Sequence, residues 1–524
     1  MKSARWNYVP REKLCMKRMA LKSAPAIYPA LCALVLCCVL AGCVPGPKYH
    51  KPSAPVATAP SYKESTTNFQ DADGWKVAQP QDAMLRGKWW EIFNDPELNA
   101  LEDQLDINNQ NIKVYFENYM AARAMIREAR AQYWPTITTG PSWNRSKSSG
   151  NLHQSSQANT GSTSTTWSFP LDVSWQPDFF GKIRNEVRET QFGAQVSAAD
   201  LENERLAEQA SLAEYFYEIR GQDALQKILN DTVEADKKSL ELTQVQYDTG
   251  IGNYISVVEA KTTLESAESQ ALNIGVARAQ FEHAIAMLIG KPATDSSIPV
   301  KPLLVNPPPI PVGVPSQLLE RRPDIASAER TIAEANATIG IGYGAFFPSI
   351  TLSAAGGFEA STLANAFTWP SRVWSIGPSL SQTLFNGGLY RYQLQQYSAQ
   401  YNSDVATYRQ TVLTAFQQVE DYLAATRILS QQILKQQEAV DSAQIYLTLE
   451  IGRYEQGIDP YLNVAIAQVT LLSNQQSLAT LHVQESTAAI ELIQALGGGW
   501  DSSQLPTPAQ VSEKQNKGDY TLQR

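Results

Sequence analysis

The sequence predicts a mainly α protein with a small β component: two copies of one design, each a very long helical hairpin carrying two membrane-crossing strands. Three observations carry this expectation. Residues 247–290 match residues 454–497 without a gap, at an offset of 207. Two stretches, 181–247 and 388–454, contain no proline and are rich in Ala, Leu, Glu, Gln and Arg. Four segments of about ten residues alternate apolar and polar side chains, as strands facing lipid on one side do.

The N-terminus reads as an export signal. The apolar run Tyr28 to Val44 follows Lys2, Arg5, Arg11, Lys13, Lys17, Arg18 and Lys22. Met16 and Met19 are alternative starts to Met1 that give a signal of more typical length. The run closes on Leu40, Ala41, Gly42 and Cys43, which resembles the bacterial lipobox; that resemblance implies cleavage after residue 42 and acylation of Cys43. Several acyl chains anchor stably where one binds only marginally. Resemblance to other lipoproteins implies that Val44, a residue other than Asp after the cysteine, permits transfer to the outer membrane.

All five cysteines lie at or before Cys43, so the processed chain forms no internal disulfide. Residues 1–42 carry seven Lys/Arg and one Glu, so their removal takes the formal charge from -9 to -15. That balance excludes nucleic-acid binding, which needs basic faces. An apolar content of 43% and a mean hydropathy of -0.29 exclude a bundle of membrane helices. Domain limits follow as a signal at 1–42, a Pro/Ala/Ser/Thr-rich tether at 43–87, a first repeat at 88–290, a Pro-rich linker at 291–315, a second repeat at 316–500 and a polar tail at 501–524.

The repeat superposes Tyr247 on Tyr454, Gly250 on Gly457, Tyr254 on Tyr461, Val257 on Val464, Ala260 on Ala467, Leu264 on Leu471 and Gly290 on Gly497. Upstream, Trp134-Pro135 resembles Phe347-Pro348, and Phe180-Gly181 resembles Phe385 to Gly387. Each half therefore runs helix, aromatic-Pro turn, two strands, long helix, Gly turn and second helix. The long helices are expected at about 181–248 and 388–456, and the returning ones at about 254–290 and 459–497. Val405, Tyr408, Val412, Ala415, Val419, Tyr422, Thr426, Leu429 and Ile433 form a heptad seam. At about 1.5 Å per residue, roughly 65 residues make a rod of about 100 Å. A coiled-coil spacer shows the same pattern; the strands argue for more.

Strands are expected at about 136–146, 165–176, 349–358 and 373–383. Trp167, Phe169, Leu171, Val173 and Trp175 alternate with polar residues, as do Trp374, Ile376 and Leu380, and these are the candidate lipid-facing side chains. A half-buried sheet in a soluble domain alternates likewise. Four strands alone cannot close a barrel, and an open edge in lipid leaves backbone groups unsatisfied, so membrane placement demands several copies. The stretches 146–166 and 359–372 read as external loops.

Taken with Gly46-Pro47-Lys48-Tyr49, Trp89-Trp90, Leu318-Leu319-Glu320-Arg321-Arg322-Pro323-Asp324-Ile325, Phe346-Phe347-Pro348 and Leu384-Phe385-Asn386-Gly387-Gly388, these features resemble the TolC-like outer membrane factor family, in its lipoprotein branch. The resemblance implies a homotrimer in which each protomer gives four strands to a 12-stranded β-barrel, above an α-barrel of helical hairpins in the periplasm. It implies a passive conduit for drugs or toxic small molecules, working with a periplasmic adaptor and an inner-membrane resistance-nodulation-division transporter. The exit duct of a protein-secretion system shares the fold, and a non-channel coiled-coil lipoprotein or adaptor shares the rods but not the strands.

No catalytic or metal constellation stands out. His50, His153, His283 and His482 lack partners at metal-ligand spacing, so no metal or cofactor is expected beyond the lipid on Cys43. Gly340, Gly342 and Gly344 precede an aromatic-Pro turn rather than follow a strand, the wrong context for a dinucleotide. The resemblance places a gate at the periplasmic hairpin ends, where the candidates are Tyr247, Asp248 and Glu259 in the first repeat and Tyr454, Glu455, Asp459 and Tyr461 in the second. In threefold symmetry an inward carboxylate becomes a ring of three that favours cations. Ile466 stands where the family commonly has Asp. The tips at Gly250 and Gly457 are the expected docking points for the adaptor.

Overall fold

The structure is a computed structural model that describes residues 46–54, 62–64, 87–149, 163–303, 307–308, 310 and 320–513. The signal, Cys43, most of the first external loop and parts of the tether, linker and tail lie outside the described residues.

Helices α1 (Pro96–Asn108) and α2 (Gln110–Ala131) lead into the first strands. Asp95 caps α1, its carboxylate accepting from Glu97 N at 2.9 Å, with Pro96 at the first helical position. Strands β1 (Thr136–Thr139), β2 (Ser142–Lys147) and β3 (Thr163–Trp175) follow, then α3 (Lys182–Asp248) and α4 (Tyr254–Leu288). The second half gives α5 (Pro323–Gly344), β4 (Ser349–Ala360), β5 (Arg372–Ser381), α6 (Leu389–Glu455) and α7 (Tyr461–Ala495). The long helices, 67 residues each, begin and end 207 residues apart, and so do the returning helices of 35 residues each. The internal repeat thus holds to the residue over both hairpins.

The first expected strand is interrupted. Gly140-Pro141 separates β1 from β2, because proline has no N–H for the ladder, yet both segments pair with β3. The sheet runs β1/β2, β3, β4, β5, entirely antiparallel, with open edges at the first and last strands. No described helix is long and apolar enough to cross a membrane.

Both hairpins bend at a left-handed glycine. At the first, Gly250 (φ 78°) donates to Tyr247 O and Ile251 to Gln246 O; at the second, Gly457 (φ 72°) donates to Tyr454 O and Ile458 to Arg453 O. This pair of hydrogen bonds closes each helix end and needs a residue without Cβ strain.

Six apolar clusters run down the described helices, three of them large. The largest gathers Trp89 and Trp90 from the short 3-10 turn before α1 with Leu98, Leu105, Phe216, Ile285 and Ile493 from α1, α3, α4 and α7. A second joins α5, α6 and α7 around Ile325, Tyr408, Val412, Val419 and Leu492. The seam of α6 turns at its middle, so that Leu423 is buried where Tyr422 was expected and Tyr422 is only partly covered. The third core holds Ala443, Leu447, Tyr454, Tyr461 and Leu471 near the hairpin ends.

The N-terminal strap lies along this wall. Gly46 sits so close to Gly340 that a Cβ on it would stand 2.8 Å from the Gly340 Cα. Tyr49 donates to Glu329, Asn336 donates to Pro47 O, and Lys63 N and Glu64 N both donate to the Glu420 carboxylate. The described part of the tail returns to α2 and α3, where Arg123 and Arg130 donate to Val511 O and Ser512 O.

Candidate functional site

The sheet sorts its side chains by register. Ile137, Val173, Ala354 and Ile376 share one row, and Leu171, Gly356 and Trp374 share another on the same face. Trp143, Trp167 and Ala360 form a row of that face at the loop end, and Trp175 and Leu352 lie at the helix end. Between them the opposite face carries Thr136, Ser174 and Ser353, then Thr138, Asp172, Ala355 and Ser375. Much of the apolar face is open among the described residues: Leu171, Trp374, Ile376 and Leu380 are exposed. All eight candidate lipid-facing residues fall on this face, since each strand's side chains alternate.

Aromatic rings bracket the apolar band. Phe367 packs 4.8 Å from Phe169 and 5.6 Å from Phe358 at the loop end. At the helix end Phe180 stacks on Phe347 at 5.0 Å, joining the turn after β3 to the turn before β4. The Trp175 indole there donates to Tyr133 O at 2.9 Å. Two such levels are what a bilayer's interfaces select.

The Arg321-Arg322-Pro323-Asp324 segment has a structural task. Arg322 grips Asp324 at 2.9 and 2.7 Å and donates from Nη1 to Gln418 at 2.9 Å and to Ala495 O at 3.0 Å. It therefore satisfies a terminal carbonyl of α7 while fixing the start of α5 against α6.

At the far ends of the hairpins the structure divides the gate candidates. Tyr454 and Tyr461 pack edge to face at 5.4 Å inside the third core, and the Tyr454 hydroxyl donates to Gln246 Oε1 of α3 at 2.5 Å. Their counterparts Tyr247 and Tyr254 hold a similar ring contact at 5.3 Å but are exposed. Asp248 is exposed and accepts from Gln244 at 2.8 Å, and Glu455 is exposed beside Gly457. Asp459 accepts from Arg453 across the bend. That hydrogen bond holds the Asp459 carboxyl below its usual range. Glu259 lies apart from the tips, in a cleft between α4 and α7, and Ile466 is exposed on α7.

Two residues escaped sequence reasoning. Arg453 neutralises Asp459, and the signal was its position six residues before Asp459, across the Gly turn. Asp236, buried in α3, gives no sequence signal, because nothing in a helical pattern marks one acidic residue as inward. Among the described residues no cluster of three metal-ligating side chains occurs.

A family described as outer membrane efflux protein matches residues 101–291 and 314–498. The probable efflux pump outer membrane protein TtgC of Pseudomonas putida is 31% identical over 487 residues, covering 92% of this chain and 97% of that one. The outer membrane protein OprJ of Pseudomonas aeruginosa is 30% identical over 481 residues, covering 90% and 95%. Among solved structures, the outer-membrane channel OprN aligns with a TM-score of 0.78 at 26% identity, covering 87% of this chain and 100% of that one. The outer membrane channel CmeC of Campylobacter jejuni aligns with a TM-score of 0.79 at 22% identity, covering 89% and 97%, a likeness of fold.

Proposed function

The chain belongs to the outer membrane efflux protein family, and from that premise we propose that it is the outer-membrane channel of a multicomponent efflux pump, a passive conduit for drugs or other toxic small molecules. The observation that carries this reading is the sheet: one apolar face bracketed by aromatic rings, set on hairpins about 100 Å long. The role is conduction rather than catalysis.

The conduit is a homotrimer. An open sheet edge cannot lie in lipid, so β1/β2 and β5 each need a strand from another copy. Within one chain α3 packs on α7, while α4 and α6 lie at the two edges of the helical layer. Repeating the α3–α7 contact at the 207-residue offset sets α6 against α4 of the next copy. Exposed apolar side chains on both edges support this seam: Ile428, Tyr446 and Leu449 on α6, and Tyr254, Ile255 and Val276 on α4.

Lipid on Cys43 anchors the chain. The position of Gly46 supports it, because Gly340 lies near the end of α5, which feeds β4, and three residues reach about 10 Å. Acylation thus falls beside the membrane end of the sheet. The exposed tips, which carry the exposed Ile251 and Ile458, receive the periplasmic adaptor that couples the channel to an inner-membrane transporter. The gate is formed there by Tyr247, Asp248, Glu455 and Asp459, while Tyr454 and Tyr461 supply the packing that keeps the hairpins together.

Purified protein in planar bilayers tests the proposal. Discrete conductance, from heat-modifiable trimers carrying a fatty acid that Cys43→Ala abolishes, is the expected result. A monomeric, non-conducting periplasmic species overturns it.

A further inference from the structure

The returning helices α4 and α7 stand apart over the flank of α3, leaving an elongated cavity of about 460 Å³ walled by three helices of one chain. Its sides carry apolar groups, Val258, Leu462, Val469 and Leu472, interleaved with Thr, Ser and Gln; no Lys, Arg or His lines it. On its floor is Asp236, 1% exposed, with neither carboxylate oxygen hydrogen-bonded. Glu259 lines the same space from α4. The Tyr461 phenol lies within electrostatic reach of both carboxylates.

A carboxylate held out of water without a partner is costly, and the protein offers it no counter-charge. Burial pushes Asp236 up to about 6, which still leaves it mostly ionised at neutral pH. The missing partner is therefore a cation supplied from outside. Among the described residues no third carboxylate or imidazole joins these two to make a metal cluster, and the apolar walls at Val258, Leu462, Val469 and Leu472 offer a bare ion no further ligands. The volume lies in the range of small-molecule sites, about 300–1,000 Å³, and the methyl groups on the walls call for an apolar body behind the charge.

We propose that this cavity binds an amphiphilic organic cation, its positive nitrogen on Asp236 and its apolar body between Val258 and Val469. The site needs only the packing of α3, α4 and α7, so it stands or falls apart from conduction.

Ethidium is a suitable probe because its fluorescence rises on leaving water, and phenanthridine is its uncharged counterpart. On the detergent-purified full chain, ethidium should saturate at one site per chain. Asp236→Asn should weaken ethidium binding about tenfold or more, the scale of one lost charge-assisted contact, while leaving phenanthridine unchanged. Asp236→Glu should retain most of the affinity. Because Asp236→Asn removes an uncompensated charge, it should melt no lower than the parent protein at pH 8. Undiminished ethidium binding by Asp236→Asn, equal affinity of the parent for ethidium and phenanthridine, or a lower melting point for Asp236→Asn overturns the inference.

Discussion

Arg453 and Asp459 are paired across the bend of the second hairpin, and the equivalent positions of the first, Gln246 and Gly252, carry no charge. The clasp is thus a feature of one hairpin in two. Removing it with Asp459→Ala frees the Arg453 guanidinium and loosens the turn. Single-channel conductance should rise, and cells should become more sensitive to large antibiotics. The pair keeps the Asp459 carboxyl below its ordinary value, so the clasp is complete above the unfolded value and is lost only as pH falls through the folded one. The difference between parent and variant should therefore be constant from about pH 8 to 5 and shrink only below about pH 4. No change in conductance would remove Asp459 from the gate.

The α3–α7 contact, carried to the 207-residue offset, predicts the seam between copies. Gln468 donates to Ser239 at 3.0 Å within one chain. At the 207-residue offset these positions become Lys261 and Tyr446, both exposed in one protomer. Since every cysteine lies at or before Cys43, introduced pairs have no thiol to compete with in the fold. Lys261→Cys with Tyr446→Cys should yield oxidation-dependent dimers and trimers on gels, whereas Ser239→Cys with Gln468→Cys should crosslink only within a chain. Absence of intermolecular species from the first pair would defeat the seam.

This seam also marks where sequence reasoning stopped. The repeat and the alternating strands were legible because both follow from local periodicity, and helix ends at Asp248 and Glu455 were marked by glycine. Tyr247 and Tyr454 are the same residue at the same repeat position, yet one is exposed and one is buried. The difference comes from what lies beside each hairpin, the chain's own α3 in one case and solvent in the other. No local pattern encodes that. The tasks of Arg322 and of the strap residues Gly46, Tyr49, Lys63 and Glu64 are equally nonlocal, since they reach partners far away in sequence.

Buried carboxylates set a pH dependence for the middle of the molecule. Glu214 is pushed up to about 7, first by burial and then by Glu491 and Glu218. Glu334 is likewise pushed to about 7, by burial and then by Glu189 and Asp404. Both values lie above those of the unfolded chain, so the folded state holds more protons between about pH 4.5 and 7, and stability falls as pH rises through that window. The melting temperature should be higher at pH 5 than at pH 8. Glu214→Gln or Glu334→Gln should stabilise at pH 8 by about 1–3 kcal/mol, at about 1.4 kcal/mol per pKa unit, and change little at pH 5. A melting profile that rises with pH would contradict the assignment.

The lipid face gives the most direct test of membrane placement. Ile376 lies midway along β5 in a row with Ala354, Val173 and Ile137, while Ser375 points to the opposite face beside Ala355 and Asp172. Both are exposed in one protomer, so loss of a packed core does not separate them. If the apolar face meets hydrocarbon, Ile376→Arg places a charge at bilayer depth, at a cost of about 2–4 kcal/mol per copy. A threefold assembly bears that cost three times. Ser375→Arg instead points into the water-filled interior and should be tolerated, altering ion selectivity rather than assembly. The yield of heat-modifiable trimers in the outer-membrane fraction reads the contrast: sharply reduced for Ile376→Arg, near the parent level for Ser375→Arg. Equal yields would mean that neither face contacts lipid, and the reversed order would turn the sheet inside out.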